Sequence, residues 1–336
     1  MKHYFATVLP GLESLLKEEI NVKLVRTKIV GTTRGKVFIK TTLNLEQLKT
    51  LKLADNIYQV ISQFKIGFHR KDLQNLYKQI YQLDLKPFLK KGSFYVNVSR
   101  KGSHTYSRFE AGQKAMEGIK NRYPHRQIGT ANSHDMEFRL DIENSHAVFS
   151  LKLTDATYRF RQNNKVFTAA SLLPTVAHAM VWLSNPKKED VFIDPCCGSG
   201  TILSERLSYP FTYVGGGDID KNTVSTAKMN LKNSFAEVTQ WDARELVFTD
   251  DSISKIVTNL PFGRQISFGA KTEEVNLAIL TEIYRVLANE GTAVVLSEGW
   301  SKIVQEAKAL GFSLIESYNL SLKGLHPTIY VFRKVL

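Results

Sequence analysis

Apolar and polar positions alternate through residue 64 in short runs that read as strands, separated by stretches with helical spacing. HYFATV (3–8) is the first strand run, and LESLLKEEI (12–20) is a helix set off by Pro10 and Gly11. VKLVRTKIV (22–30) and KVFIKT (36–41) are strands joined through Gly31 and Gly35, LEQLKTLKL (45–53) is a helix, and NIYQVISQF (56–64) is a strand. The pattern then changes. A helix is expected over Asp72–Tyr81, with Leu73, Leu76, Tyr77 and Ile80 on one face, before a strand from Ser93 that ends in Arg100, Lys101 and Gly102. AGQKAMEGIKNRY (111–123) is a helix, and MEFRLDIEN (136–144) and HAVFSLKLT (146–154) are alternating strands. TYRFRQNNKV (157–166) is polar and basic and reads as a linker into the helical run AASLLPTVAHAMVWLS (169–184). From Val191 onward strands and helices alternate: VFID, TILSERL, YVGGGD, TVSTAKMNLKN, VTQWD, KIVTN, VNLAILTEIYRVL, TAVVLS, IVQEAKAL, FSLIESYNL and TIYVFRK.

The first six elements run β-α-β-β-α-β, the order of a ferredoxin-like module. The C-terminal alternation predicts an α/β, Rossmann-like, doubly wound domain with seven strands, mostly parallel, and an antiparallel final strand. Its centre is VFIDPCCGSGT (191–201). A short apolar strand ends at Asp194 and Pro195 and turns through Gly198, Ser199 and Gly200 into a helix with Ser199 or Thr201 near its N-cap. A ligand of such a sheet sits at the carboxyl ends of the strands, and glycines in that turn leave room for close backbone approach. The loop is not a GxGxxG dinucleotide fingerprint, because its glycines stand only at 198 and 200.

Composition narrows the partners. Residues 1–165 hold 29 Lys+Arg against 14 Asp+Glu, a difference of +15, and the remaining residues hold 16 against 18, or −2, so the whole net charge of +13 belongs to the first half. That asymmetry points to an anionic partner, RNA rather than a membrane, since no strongly amphipathic basic helix is evident. No run approaches the roughly 20 apolar residues of a membrane span, and Pro10, Gly11 and Glu13 interrupt any signal-peptide core. The two cysteines, Cys196 and Cys197, are adjacent and have no metal-ligand spacing, so they read as small buried residues and no metal is expected. A reducing cytoplasm fits.

Three acidic positions and one tetrapeptide carry the candidate chemistry. Asp218, closing the second strand of the domain, stands where a carboxylate could accept both hydroxyls of a ribose; DID makes Asp220 the alternative. Asp242, beside Ala243 after the third strand, could accept from an adenine amino group or cap the next segment. His178 on the 169–184 helix reads as a satisfied or surface histidine. IVTNLPFGR (256–264) ends a strand in Asn259, Leu260, Pro261 and Phe262, and this tetrapeptide resembles the signature of S-adenosylmethionine-dependent methyltransferases that modify exocyclic amino groups of bases.

The resemblance spreads from there over nearly the whole chain. ATVLPGLESLLKEEI, the SRKGSH strand end and the strand pair closing before Thr154 resemble THUMP-containing RNA-modifying enzymes, and NLPFGRQIS is similar to the tRNA guanine-N2 methyltransferases that act on guanosine 6 of the acceptor stem. The resemblance implies a ferredoxin-like domain over 1–64, a THUMP RNA-binding domain over 65–156, a linker over 157–170 and a methyltransferase domain over 171–336. It implies S-adenosyl-L-methionine as cofactor, held by Asp194, Pro195, Cys196, Gly198, Ser199, Gly200, Thr201, Asp218, Ile219, Asp220, Asp242, Ala243 and Asn259, with backbone N–H groups of the loop near its carboxylate. Asn259 and the Leu260 carbonyl would accept the two hydrogens of guanine N2, Pro261 would fix the turn, and Phe262 would stack on the base. Arg100, Lys101, His104, Arg108, Lys114, Arg122 and Arg264 are the expected RNA contacts. The expected enzyme is a cytoplasmic monomer acting on the acceptor stem and 3′ end of tRNA; tRNA guanosine 10 and 23S rRNA are the alternative targets. The adjacent cysteines depart from the family pattern, which often has an aromatic residue or Met there.

Overall fold

The computed structural model describes residues 1–161, 166, 171–261, 272–322 and 324–335, which form two compact units. The first unit is built on one eight-stranded sheet. In chain order this part of the sequence forms β1 (Lys2–Thr7), α1 (Glu13–Lys23), β2 (Lys28–Thr33), β3 (Lys36–Thr41), α2 (Leu45–Leu48), β4 (Asn56–Lys65), α3 (Leu73–Gln82), β5 (Ser93–Lys101), α4 (Arg108–Arg122), β6 (Gln127–Ile128), β7 (Met136–Glu143) and β8 (His146–Lys152), and α1 as far as Glu19 is counted, with Leu51–Asp55, in the second unit. The strand order is β2-β3-β1-β4-β8-β7-β5-β6. The first four are antiparallel neighbours in the ferredoxin-like arrangement. The β4–β8 pairing carries the same sheet into the second set of strands, so residues 1–64 and 65–156 share one sheet. Phe94, Phe138 and Phe149 from its strands pack with Leu76 and Ile80 of α3 and Ala111, Ala115 and Ile119 of α4.

Local chemistry moves several expected boundaries in this part of the chain. Residues 22 and 23, expected to open a strand, finish α1, and the Leu24 N–H still donates to the Ile20 carbonyl at 2.9 Å. Val22 is accordingly exposed while Ile20 and Leu24 are buried, the helical period rather than the strand period. The 45–53 helix stops at Leu48, after an Asn44/Gln47 capping box opens it. Its expected last turn is pulled away because the buried Glu19 carboxylate accepts the Lys52 and Leu53 N–H groups at 2.8 and 2.9 Å. α4 begins three residues earlier than its apolar pattern suggests, under a Ser107/Glu110 capping box written in the sequence as SRFE.

The second unit continues with α5 (Ala156–Phe160), α6 (Pro174–Leu183), β9 (Val191–Asp194), α7 (Thr201–Arg206), β10 (Tyr213–Asp218), α8 (Lys221–Asn230), β11 (Glu237–Gln240), β12 (Ile253–Asn259), α9 (Thr272–Val286), β13 (Leu287–Ser297), α10 (Ile303–Leu310), β14 (Phe312–Asn319) and β15 (Thr328–Lys334). The stretch read as a linker thus contains a short helix. α6 starts at Pro174, because proline suits the first helical position, where no N–H partner is needed. The seven-stranded sheet runs β11-β10-β9-β12-β13-β15-β14. All pairs from β11 to β13 are parallel, and β15 runs antiparallel to both of its neighbours, as expected. Ile256, Val295 and Phe332 of this sheet pack with Leu280 and Ile283 of α9 and Ile303 and Ala307 of α10.

His178 is fully buried in this unit. Its Nδ1 lies 3.1 Å from Glu205 Oε2 and its Nε2 3.3 Å from Glu19 Oε1, the Tyr209 ring stacks on it, and Arg161 pairs with the second oxygen of Glu205 at 3.2 Å. It is a buried histidine between two carboxylates, not a surface one.

Candidate active site

β9 lies between β10 and β12, and the chain leaves it for β10 on one side and later returns through β12 on the other. At such a switch point the carboxyl ends of neighbouring strands open a crevice. Three sequence-predicted groups meet there: the 194–201 loop after β9, Asp218 at the end of β10 and Asn259 at the end of β12.

The loop is held from below and from the side. Asp194 is fully buried, and its Oδ1 accepts the Cys196 N–H at 3.2 Å. Burial pushes this carboxyl up to about 8, against the Thr258 hydroxyl and the Cys196 N–H, which favour its charged form. The same burial pushes both thiols, Cys196 and Cys197, upward, and neither is an activated nucleophile. The Cys197 N–H donates to the Gly217 carbonyl at 2.8 Å, and the Gly198 N–H donates to Asp218 Oδ2 at 3.1 Å. The buried Trp241 indole N–H donates to the Pro195 carbonyl at 2.8 Å. Gly198 and Gly200 have φ of +52° and +82°, a region that disfavours side chains. A Cβ on Gly200 would come within 2.9 Å of Leu231, whereas the space above Gly198 is open. Gly200 itself is the N-cap of α7, with no side-chain cap, in place of the expected Ser199 or Thr201. The Ser199 hydroxyl is instead 2.9 Å from that of Ser171 and 3.4 Å from that of Thr201.

The acidic candidates separate by their partners. Asp218 receives Gly198 N–H on one oxygen and Asp220 N–H on the other, each at 3.1 Å, and a carboxylate with roughly four lone-pair sites can accept further donors. Asp220 is the N-cap of α8: its Oδ2 accepts the Thr223 N–H at 2.8 Å and the Thr223 hydroxyl at 2.6 Å, which hold its carboxyl below the usual range. Asp220, the alternative ribose group, is thus engaged as a helix cap, whereas Asp218 caps no helix. Asp242 is engaged as well, because the Arg244 guanidinium spans both its oxygens at 2.6 to 3.1 Å and lowers its carboxyl. Ile219 is exposed and Ala243 buried.

At the end of β12 the buried Asn259 Oδ1 has no hydrogen-bond partner among the described residues. Leu260 is buried and its N–H donates to the Leu296 carbonyl at 3.0 Å. Phe262 and Arg264 lie outside the described residues. Two asparagines that sequence reasoning missed also act here. Asn276 of α9 donates from Nδ2 to the Pro261 carbonyl at 3.1 Å. Asn230 of α8 donates to the Ser199 carbonyl at 3.0 Å and exchanges two hydrogen bonds with the Val166 backbone, both at 2.9 Å. The signal for Asn276 was present, since it occupies a buried helix face with Ile279, Leu280 and Ile283, where a polar residue needs a reason.

In the first unit the expected RNA contacts fall at the end of β5 and along α4. The Arg100 guanidinium donates to the Gly102 carbonyl, and His104 lies 2.8 Å from the Asn144 carbonyl and stacks on the partly exposed Phe68. Arg108 lies over the Phe109 ring and Arg122 over Tyr81, while Lys101 pairs with Glu143 and Lys114 with Glu117. Those two pairs are exposed and contribute little, so phosphates could replace the carboxylates. No group of three or more His, Cys, Asp or Glu side chains among the described residues could hold a metal ion, and no described helix is long and apolar enough to cross a membrane.

Comparison with known proteins supplies the remaining findings. Residues 161–328 match the family described as "RMKL-like, methyltransferase domain". The chain is 22% identical to the tRNA (guanine(6)-N2)-methyltransferase of Methanocaldococcus jannaschii over 97% of this chain and 98% of that one. It is 25% identical to the Thermus thermophilus protein of the same name over 98% of this chain and 99% of that one. The crystal structure of TrmN from Thermus thermophilus superposes with a TM-score of 0.85, at 23% identity and over the full length of both chains, which places the two in one fold.

Proposed function

The chain belongs to the RMKL-like methyltransferase domain family, and from that premise we propose that it transfers a methyl group from S-adenosyl-L-methionine to the exocyclic N2 of a guanosine in tRNA, guanosine 6 of the acceptor stem. The observation that carries this reading is the buried Asn259 Oδ1 at the end of β12, which has no partner among the described residues and stands beside the glycine loop that follows β9. An acceptor buried without a donor costs about 1–3 kcal/mol, a cost a substrate amino group would relieve. The named activity of the two full-length relatives selects guanosine 6 among possible amino groups.

The residues present fit the cofactor. The space above Gly198 is open, Asp218 has lone pairs left for ribose hydroxyls, and the exposed Ile219 offers an apolar surface after β10. Pro195, Cys196, Gly198, Ser199, Gly200 and Thr201 would surround the methionine end. Asp194 has no accessible surface to offer and would act by holding the Cys196 N–H. Asp242 and Ala243 would border the adenine, with Asp242 keeping or exchanging its Arg244 partner. When bound, the cofactor supplies an electrophilic methyl group on a sulfonium.

The chain's own contribution is orientation. The guanine N2 lone pair is delocalised into the ring and is a poor nucleophile. Asn259 Oδ1 and the Leu260 carbonyl would each accept one amino hydrogen and turn that lone pair toward the methyl group. Formation of the C–N bond would break the C–S bond of the bound cofactor, and the alkylated nitrogen would be acidic enough to release its proton to water. No base, nucleophile or metal from the protein is required. The target base must leave its pair, at a cost of a few kcal/mol. The basic first half, with residues 65–156 as a THUMP-like RNA-binding module, would supply phosphate contacts that compensate. Nucleoside mass spectrometry of tRNA from cells with and without the gene tests the reading: N2-methylguanosine at position 6 should vanish with the gene, and its persistence would refute it.

A further inference from the structure

Proline at 261 creates a problem that the tetrapeptide cannot solve by itself. It has no N–H to hold the turn, and its ring restricts the backbone of the residue before it without fixing the carbonyl after it. The turn is pinned from two sides. On one, the Leu260 N–H extends the β12–β13 ladder to the Leu296 carbonyl at 3.0 Å. On the other, the Asn276 carboxamide, only 2% exposed, donates from Nδ2 to the Pro261 carbonyl at 3.1 Å. The amide orientation is unambiguous, since a carbonyl only accepts. Between these two clamps the Leu260 carbonyl receives no hydrogen bond from any described residue, and the buried Asn276 Oδ1 likewise has no partner among the described residues. A buried Asn that satisfies only one side of its amide is costly on a helix face otherwise lined by Ile279, Leu280 and Ile283.

We propose that Asn276 is a positioning residue for the methyl transfer: by holding the Pro261 carbonyl it removes that group from competition and fixes the Leu260 carbonyl beside Asn259 Oδ1 as the second acceptor of the substrate amino group. The inference rests on the acceptor-pair reading of Asn259 and Leu260 given above. Asn276 touches neither cofactor nor base; it acts through the peptide at 260–261.

The test uses the full chain and a tRNA transcript carrying guanosine 6. Asn276→Leu keeps the volume and removes the donor. Its kcat should fall between about 10- and 100-fold, as misplacement of a reacting geometry does, while KM for tRNA and calorimetric affinity for S-adenosyl-L-methionine stay within about twofold. Asn276→Asp adds a second reading. Only the protonated carboxyl can donate to the Pro261 carbonyl, so kcat relative to wild type should recover on acidification. Unimpaired kcat in Asn276→Leu would overturn the proposal, as would a ratio in Asn276→Asp that does not change with pH. Parallel loss of cofactor affinity and turnover in both variants would mark Asn276 as a packing residue only and overturn it too. Asn259→Ala, assayed alongside, separates the levels: full turnover in that variant sinks the acceptor pair itself, whereas a dead Asn259→Ala with a normal Asn276→Leu sinks the positioning role alone.

Discussion

The Gly198 N–H donates to Asp218 Oδ2 at 3.1 Å, so the glycine turn after β9 and the acidic end of β10 form one hydrogen-bonded unit. With the Cys197 N–H on the Gly217 carbonyl at 2.8 Å, the loop is moored to β10 at two successive residues. A cofactor entering the crevice therefore meets a shaped loop and an anchored carboxylate.

Asp218→Ala removes both that mooring and the group expected to accept the ribose hydroxyls. Affinity for S-adenosyl-L-methionine, measured by calorimetry, should weaken by about 1–3 kcal/mol, the range for hydrogen bonds to a charged group. Asp220→Ala should lower thermal stability through loss of the α8 cap and leave that affinity nearly unchanged. The reverse pattern would move the ribose role to Asp220.

Asp194 gives the stability of the protein a pH signature. Its folded value is raised from the ordinary 3.8 to about 8, with burial as the main cause, so the folded chain holds this proton more tightly than the unfolded one. The stabilisation is complete below the ordinary carboxyl value and is lost as pH rises through the folded one. Asp194→Asn keeps an acceptor for the Cys196 N–H and removes the titration. Its melting temperature relative to wild type should therefore climb between mildly acidic and mildly alkaline pH. A constant difference across that window would show that the carboxyl is not held protonated.

His178 separates two buried carboxylates, Glu19 and Glu205, at 3.3 and 3.1 Å. His178→Ala would leave them facing each other, a change in the class that costs about 3–5 kcal/mol. A large fall in melting temperature is expected, with cofactor affinity preserved well below it. Converting the two carboxylates to amides in the same chain should restore part of the loss. Wild-type melting in His178→Ala would contradict a structural role for this cluster.

The core of the second unit was legible because buried parallel strands leave continuous apolar runs and loop glycines punctuate them. VFID, YVGGGD and KIVTN appear as β9, β10 and β12 with few changes at their ends. What sequence pattern missed depended on partners distant in the chain. Nothing local to LEQLKTLKL announces that Glu19 will claim the N–H groups of Lys52 and Leu53. That Asp220 caps α8 emerged only with the helix boundary, although Asp220 with Thr223 was a readable cap signal. Asn276 was legible in kind, as a polar residue on an apolar helix face, but its Pro261 partner was not. The shared eight-stranded sheet was hidden too, because the register between β4 and β8 links residues about ninety positions apart.

Methylation of N2 of guanosine 6 is measured with purified full-length protein, S-adenosyl-L-methionine and two tRNA transcripts that differ in one base pair. In the second transcript adenosine replaces guanosine 6 and its pairing partner is changed to match. N2-methylguanosine should form at position 6 of the first transcript, with activity falling steeply as salt is raised, and the second should stay unmethylated. Equal methylation of both transcripts, or equal activity on fragments of 23S rRNA, would contradict it.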